Sequence, residues 1–68
     1  MEIIKKFFEK RNLKKFDEGM SFVFLEHLKN STDLHFLLAE SNYEENEMKR
    51  RGMREGIVLL KMIQTNLN

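Results

Sequence analysis

No proline interrupts this chain of 68 residues, and only three glycines, Gly19, Gly52 and Gly56, relax its backbone. Proline is the residue that stops helices and glycine the one that loosens them, so long helices are permitted almost everywhere. Apolar spacing then decides between helix and strand. In Ile3-Ile4…Phe7-Phe8 it runs i, i+1, i+4, i+5, which places all four residues on one face of a helix over about residues 2–11, with Asn12 as its stop. Met20, Val23, Phe24 and Leu28 are spaced 3, 1 and 4 and predict a second helix over about 17–29. Taken alone, Phe22-Val23-Phe24-Leu25 would also suit a buried strand, but the flanking spacing favours helix.

Asn30-Ser31-Thr32-Asp33 gathers four residues that cap or turn. It predicts a break followed by a short helix carrying Leu34, Phe36, Leu37 and Leu38. A further boundary is expected at Ser41-Asn42, where Glu44 and Glu45 each complete a capping box with a residue three places earlier. The last helix should run from about Tyr43 to Gln64. Its stripe of Met48, Gly52, Gly56, Leu59, Leu60, Ile63 and Leu67, spaced 4, 4, 3, 1, 3 and 4, is the strongest periodic signal in the chain. The expected fold is all-α: a small bundle of three main helices plus one short helix, with a long C-terminal helix as scaffold. It forms a single helical domain over 1–68, made of a basic N-terminal helix (1–15), a helix and short helix (16–40) and the long helix (41–68).

A core drawn from only 28 apolar residues in 68 rarely supplies more than about 3–5 kcal/mol of net stability. Chains of this size are commonly stapled by disulfides, by a metal or by a partner. There is no cysteine, which excludes the first and removes the usual structural-zinc ligands. A protein partner or self-association is therefore expected. No apolar run approaches the roughly 20 residues of a membrane span. The first residues lack the apolar stretch and small-residue cleavage site of a signal peptide, so synthesis in the cytosol is expected.

The formal net charge of +1 conceals three blocks. Residues 1–15 carry six basic groups against two acids, a net +4; residues 16–47 carry eight acids against Lys29, a net −7; residues 48–68 carry five basic groups against Glu55, a net +4. Basic ends around an acidic middle suit contact with phosphate or with acidic protein surfaces, or mutual neutralisation within the chain. A dedicated nucleic-acid binder is more often basic overall.

Gly52 and Gly56 share one stripe, and each costs a helix interior about 1 kcal/mol relative to alanine. Close approach of another helix, from the same chain or from a partner, is the expected compensation. Gly56-Ile57-Val58-Leu59-Leu60 is apolar around most of the helix, which implies burial on more than one side, by a partner or by one thick core. Gly52, Gly56, Leu59, Leu60 and Ile63 are accordingly the candidate partner interface. Lys49, Arg50, Arg51 and Arg54 form the densest basic patch. It would meet DNA phosphate or an acidic partner, or be a solvated face partly consumed by local pairs such as Glu47 with Arg51. Lys6, Lys10 and Lys14 form a second basic row beside Phe7 and Phe8, a pattern that suits a membrane surface or a core equally.

His27 and His35 have no metal-ligand spacing and are expected to be surface or half-buried histidines. Ser21, Ser31 and Ser41 lack a GxSxG setting, and no glycine-rich phosphate loop occurs. No catalytic residue, metal or cofactor is expected.

From about Phe16 to Ile63 the chain resembles a small family of short-tailed bacteriophage proteins known through a Bordetella-phage representative. The resemblance rests on Glu18-Gly19-Met20, a glycine opening a helix, followed by Val23, Leu25 and Leu28. It rests also on Gly52-Met53-Arg54 leading to Leu59, Leu60 and Ile63, where Met53 stands in place of the first arginine of a Gly-Arg-Arg motif. What the resemblance implies is a tailed-phage origin and association with the virion, with no activity attached. The expected function is a non-catalytic, virion-associated structural or accessory protein that binds other subunits. The alternatives are a small DNA-binding or regulatory protein, or an inhibitor of a host enzyme that uses its acidic middle as a nucleic-acid mimic.

Overall fold

A computed structural model describes the backbone of residues 2–67 and the side chains of residues 12–66. Its elements are α1 (Glu2–Leu28), α2 (Leu34–Ser41) and α3 (Glu47–Leu67), with no strand among the described residues. The all-α bundle expected from the apolar spacing is what forms, but with two long helices and one short rather than three long and one short. The expected stop at Asn12 does not occur, and α1 runs straight through it. An asparagine inside a helix costs only about 0.7 kcal/mol. The residues after it, Leu13 to Glu18, are mostly good helix formers, and Lys15 Nζ reaches Glu18 Oε2 at 3.3 Å across the expected gap. The face of Ile3, Ile4, Phe7 and Phe8 and the row of Lys6 and Lys10 lie outside the described side chains.

Phe22 to Leu25 is helix, as its flanking residues require. At the end of α1, Ser31 adopts φ 58, the left-handed region where glycine or asparagine is usual. This turn lets Thr32 N–H donate to the Glu26 carbonyl at 2.9 Å. Asp33 then caps α2, its Oδ1 accepting from His35 N at 2.7 Å, so the predicted break and short helix both form.

The start of α3 falls four residues after the expected Tyr43. Ser41 and Asn42 end a helix instead of beginning one. Ser41 Oγ donates to the Leu38 carbonyl at 2.6 Å, and Asn42 N–H and Tyr43 N–H donate to the Ala39 and Glu40 carbonyls. The N-terminal cap of α3 is Asn46, whose Oδ1 accepts from Lys49 N at 2.9 Å.

The pairing of α1 and α3 organises the rest. Gly19 lies against the Lys49 carbonyl and the Met53 backbone, while Gly52 lies against the Phe16 carbonyl and the Met20 backbone. A β-carbon at either position would overlap the opposite backbone, so the two glycines form a reciprocal contact that lets the helices touch main chain to main chain. Gly19 therefore sits inside a helix, at its crossing point, and opens none. Farther along, Gly56 meets Met20 and Val23, and Gln64 meets His27. Residue numbers rise together on both helices, so α1 and α3 run parallel, and α2 is the short return segment between them.

Among the described residues the core comprises Val23 from α1, Leu34 and Leu37 from α2, and Met53, Ile57 and Leu60 from α3, with Phe22 and Phe24 packed against it. The molecule measures 48 × 25 × 17 Å. Its shortest extent is less than two helix diameters of about 10–12 Å each, which makes it a slab.

Candidate protein-interaction face

Each member of the predicted basic patch has a bond within the chain. Lys49 Nζ lies 3.6 Å from Glu44 Oε2, Arg50 Nη1 donates to the Glu44 carbonyl at 3.4 Å, and Arg51 Nη2 donates to Glu47 Oε1 at 2.9 Å. Arg54 Nη2 donates to Asn42 Oδ1 at 2.7 Å, and its Nε lies 3.4 Å from the Oγ of fully buried Ser41. The bonds of Lys49, Arg50 and Arg54 tie the α2–α3 turn to the first two turns of α3, while that of Arg51 stays within the helix. The Glu47–Arg51 pair is the one the i, i+4 spacing predicts, whereas the links of Arg50 and Arg54 back to the turn are longer in sequence and have no periodic signature.

Part of the acidic middle is engaged in the same way. Glu26 accepts from Thr32 Oγ1 at 3.0 Å and from Asn30 Nδ2 at 3.3 Å, and Asp33 is a helix cap. Glu18, Glu44 and Glu47 pair with Lys15, Lys49 and Arg51. Half-buried His27 braces the α1–α2 turn: its Nδ1 lies 2.8 Å from the Thr32 carbonyl, and its Nε2 lies 2.6 Å from Gln64 Nε2. A carbonyl can only accept, so Nδ1 carries the proton and Nε2 accepts from the Gln64 amide. His35 is exposed. Among the described residues no three His, Cys, Asp or Glu side chains converge as a metal site.

The five residues of the candidate interface separate into three groups. Gly52, Gly56 and Leu60 are buried within the chain, the two glycines against α1 and Leu60 in the core shared with α1 and α2. In this fold they offer no surface to another molecule, which corrects their reading as partner contacts. Leu59 is half-buried and Ile63 is 51% exposed. The apolar ring from Gly56 to Leu60 likewise divides: Ile57 and Leu60 enter the core, and Val58 faces solvent.

What stays open is the side of the α1/α3 pair away from α2. Ile57, in the core with Leu34 and Leu37, marks the α2 side of α3, and at 100° per residue Leu59 lies 200° and Met62 140° around the helix from it. Phe22 lines a groove of about 400 Å³ beneath the end of α2 together with Glu40, Tyr43 and Met53. Leu13, nine residues before Phe22, is again half a turn away. The uncovered side thus carries Leu13, Met20, Phe24 and Leu28 from α1 and Leu59 and Met62 from α3, with Ile63 at its edge toward α1. Leu13 is 60% exposed and Leu28 70%, while Met20 and Phe24 are half-buried.

Sequence reasoning missed Leu13, which the expected stop at Asn12 removed from any helix face. It also missed Gly19 as the counterpart of Gly52, since the only signal was one glycine in the middle of an apolar stripe. Among known proteins, the chain matches no family model, no curated sequence and no solved structure.

Proposed function

We propose that this chain is a non-catalytic protein-binding module whose uncovered α1/α3 side docks on another protein surface. The observation that carries this reading is the balance of apolar side chains. Among the described residues six large ones form the buried core, while nine are exposed. Exposed apolar residues are ordinary when scattered, but several of these adjoin half-buried Met20, Phe24 and Leu59 on one side of the slab. Apolar side chains gathered on one side in this way support an interaction surface.

The bonds of Lys49, Arg50 and Arg54 to Glu44, Asn42 and Ser41 favour this reading over DNA binding, because gripping phosphate would first break contacts that hold the α2–α3 turn. The internal use of Glu18, Glu26, Asp33, Glu44 and Glu47 disfavours the acidic mimic in the same way. The setting belongs to the proposal too: on the sequence resemblance alone, the protein is placed in a short-tailed phage, made in the host cytoplasm and associated with the virion.

Binding of the purified chain to duplex DNA across a salt series separates the two main readings. A phosphate-gripping protein loses affinity with a log–log slope of about 0.9 per phosphate contact. The protein-binding reading expects no such binding at low salt; a steep slope that disappears in an Arg50→Glu, Arg51→Glu variant would replace it with the DNA reading. Mass spectrometry of purified particles tests the setting, with the chain expected in the virion.

A further inference from the structure

The groove beneath the end of α2 combines two kinds of wall. Buried Met53 and half-buried Phe22 give it an apolar lining, and Glu40, Tyr43, Glu44 and Lys49 complete it. Its volume of about 400 Å³ lies at the lower end of the range of ligand sites. The turn that carries its outer wall is held by main-chain bonds: Tyr43 N–H donates to the Glu40 carbonyl at 3.0 Å, and Glu44 N–H to the Ser41 carbonyl at 3.3 Å.

One of the two carboxylates is already matched. Half-buried Lys49 places Nζ 3.6 Å from Glu44 Oε2, and Glu44 Oε1 accepts from Asn46 N–H at 3.2 Å. Glu40 is not matched: it is half-buried, and no basic side chain among the described residues pairs with it. With two carboxylates against one ammonium the groove keeps a net charge of −1. Tyr43 stands at the same groove with its ring 86% exposed, outside the core.

An aromatic face beside an unmatched carboxylate attracts a cation, through the ring quadrupole and through charge. Lys49 shows the kind of group these walls hold, an ammonium on an apolar stem. A guanidinium suits the remaining half better than a second ammonium, because its plane stacks on a tyrosine ring while its fork donates to a carboxylate. Its stem would lie along Phe22 and Met53. Phosphate would meet the net negative charge, and a purely apolar side chain would strip water from Glu40 without giving it a partner.

We propose that this groove binds an arginine side chain of a partner protein, its guanidinium between Glu40 and the Tyr43 ring. The site lies on the α2 side of the chain and does not rest on docking through the uncovered α1/α3 side.

The chain has one tyrosine and no tryptophan, so tyrosine emission reports on this groove alone. The test is titration of the full chain with N-acetyl-arginine methylamide and with its citrulline and lysine analogues, followed by Tyr43 emission and by NMR shifts. Citrulline keeps the shape of arginine without its charge. The expected result is saturable binding of the arginine compound that moves the signals of Phe22, Glu40 and Tyr43. It should be at least about tenfold tighter than citrulline, the difference that a charge-assisted hydrogen bond makes, and tighter than lysine. Glu40→Gln should reduce arginine binding to the citrulline level with Tm and helical circular dichroism kept. Glu55→Gln, on another face of α3, should leave it unchanged, as should Leu28→Glu with Ile63→Glu. No saturable change at Tyr43, equal binding of arginine and citrulline, equal binding of arginine and lysine, or undiminished binding by Glu40→Gln each overturns the proposal. The comparison of the three compounds uses the unaltered chain, so a variant that fails to fold does not block the test. Failure here leaves the docking reading of the uncovered side standing, because that reading is tested by Leu28→Glu with Ile63→Glu.

Discussion

Alanine at Gly52 adds one methyl group where the structure has no room for it. The new carbon would fall within the Phe16 carbonyl and 3.1 Å from Met20 N, and both obstacles are main chain. A flexible side chain can swing aside, but a helix backbone can only move as a body. Overpacking of this kind costs up to about 3 kcal/mol, because separating the helices by even 0.5–1 Å forfeits about a quarter to a half of the dispersion energy between the atoms they share. Helix propensity returns about 1 kcal/mol on replacing glycine by alanine. The net expectation is a loss of about 2 kcal/mol, which in a domain of this size lowers Tm by about 8–16 °C.

Gly56 is the internal control. A β-carbon there would sit 3.4 Å from Met20 Cγ and Val23 Cβ, an ordinary contact. Gly56→Ala is therefore expected to leave Tm unchanged or to raise it by up to the propensity gain of about 1 kcal/mol. Gly19→Ala should fall with Gly52→Ala, since Gly19 meets the Lys49 carbonyl and lies 2.9 Å from Met53 N. Differential scanning calorimetry at one fixed concentration decides the matter. Equal Tm values for Gly52→Ala and Gly56→Ala, or a Gly52→Ala protein more stable than the unaltered chain, would refute the main-chain contact between α1 and α3.

Three further outcomes follow from the turns. Ser31→Gly removes a left-handed strain of about 1–2 kcal/mol, partly offset by glycine's greater freedom when unfolded; the urea midpoint should rise while the slope holds. Asp33→Ala deletes the cap of α2 and should cost about 1 kcal/mol, visible as a lower urea midpoint. Arg54→Ala removes the bonds to Asn42 and Ser41 at an exposed site and should cost about 0.5–1 kcal/mol. Amide hydrogen exchange should quicken first at Asn42 and Tyr43, and equal rates in the two proteins would show that Arg54 does not hold the turn.

The apolar periodicity made α2 and most of α3 legible, because Leu34, Leu37, Ile57 and Leu60 form a face that only a core can satisfy. The turn at Asn30–Asp33 was legible for the same local reason, since its residues cap with their own side chains. Asn12 misled because a mild helix penalty was weighed without the packing that overrides it, namely the contact of Gly19 with Met53 farther along the same helix. Ser41 misled because hydroxyl and amide side chains satisfy the end of one helix as readily as the start of the next. For the candidate site, spacing placed Gly52 and Gly56 at a close helix contact and could not say whose helix it was. That depends on α1 and α3 running parallel, a tertiary fact without a local signal. The basic patch was legible as a cluster, but the engagement of Arg50 and Arg54 with the turn depended on where the turn fell.

The most direct measurement is the migration of the native chain by size-exclusion chromatography in a nuclease-treated lysate of the cells that make it. The protein-binding account predicts elution well above the 8.2 kDa position, and a shift to that position when Leu28→Glu and Ile63→Glu are introduced together. Elution of the unaltered chain at the single-chain position would contradict it.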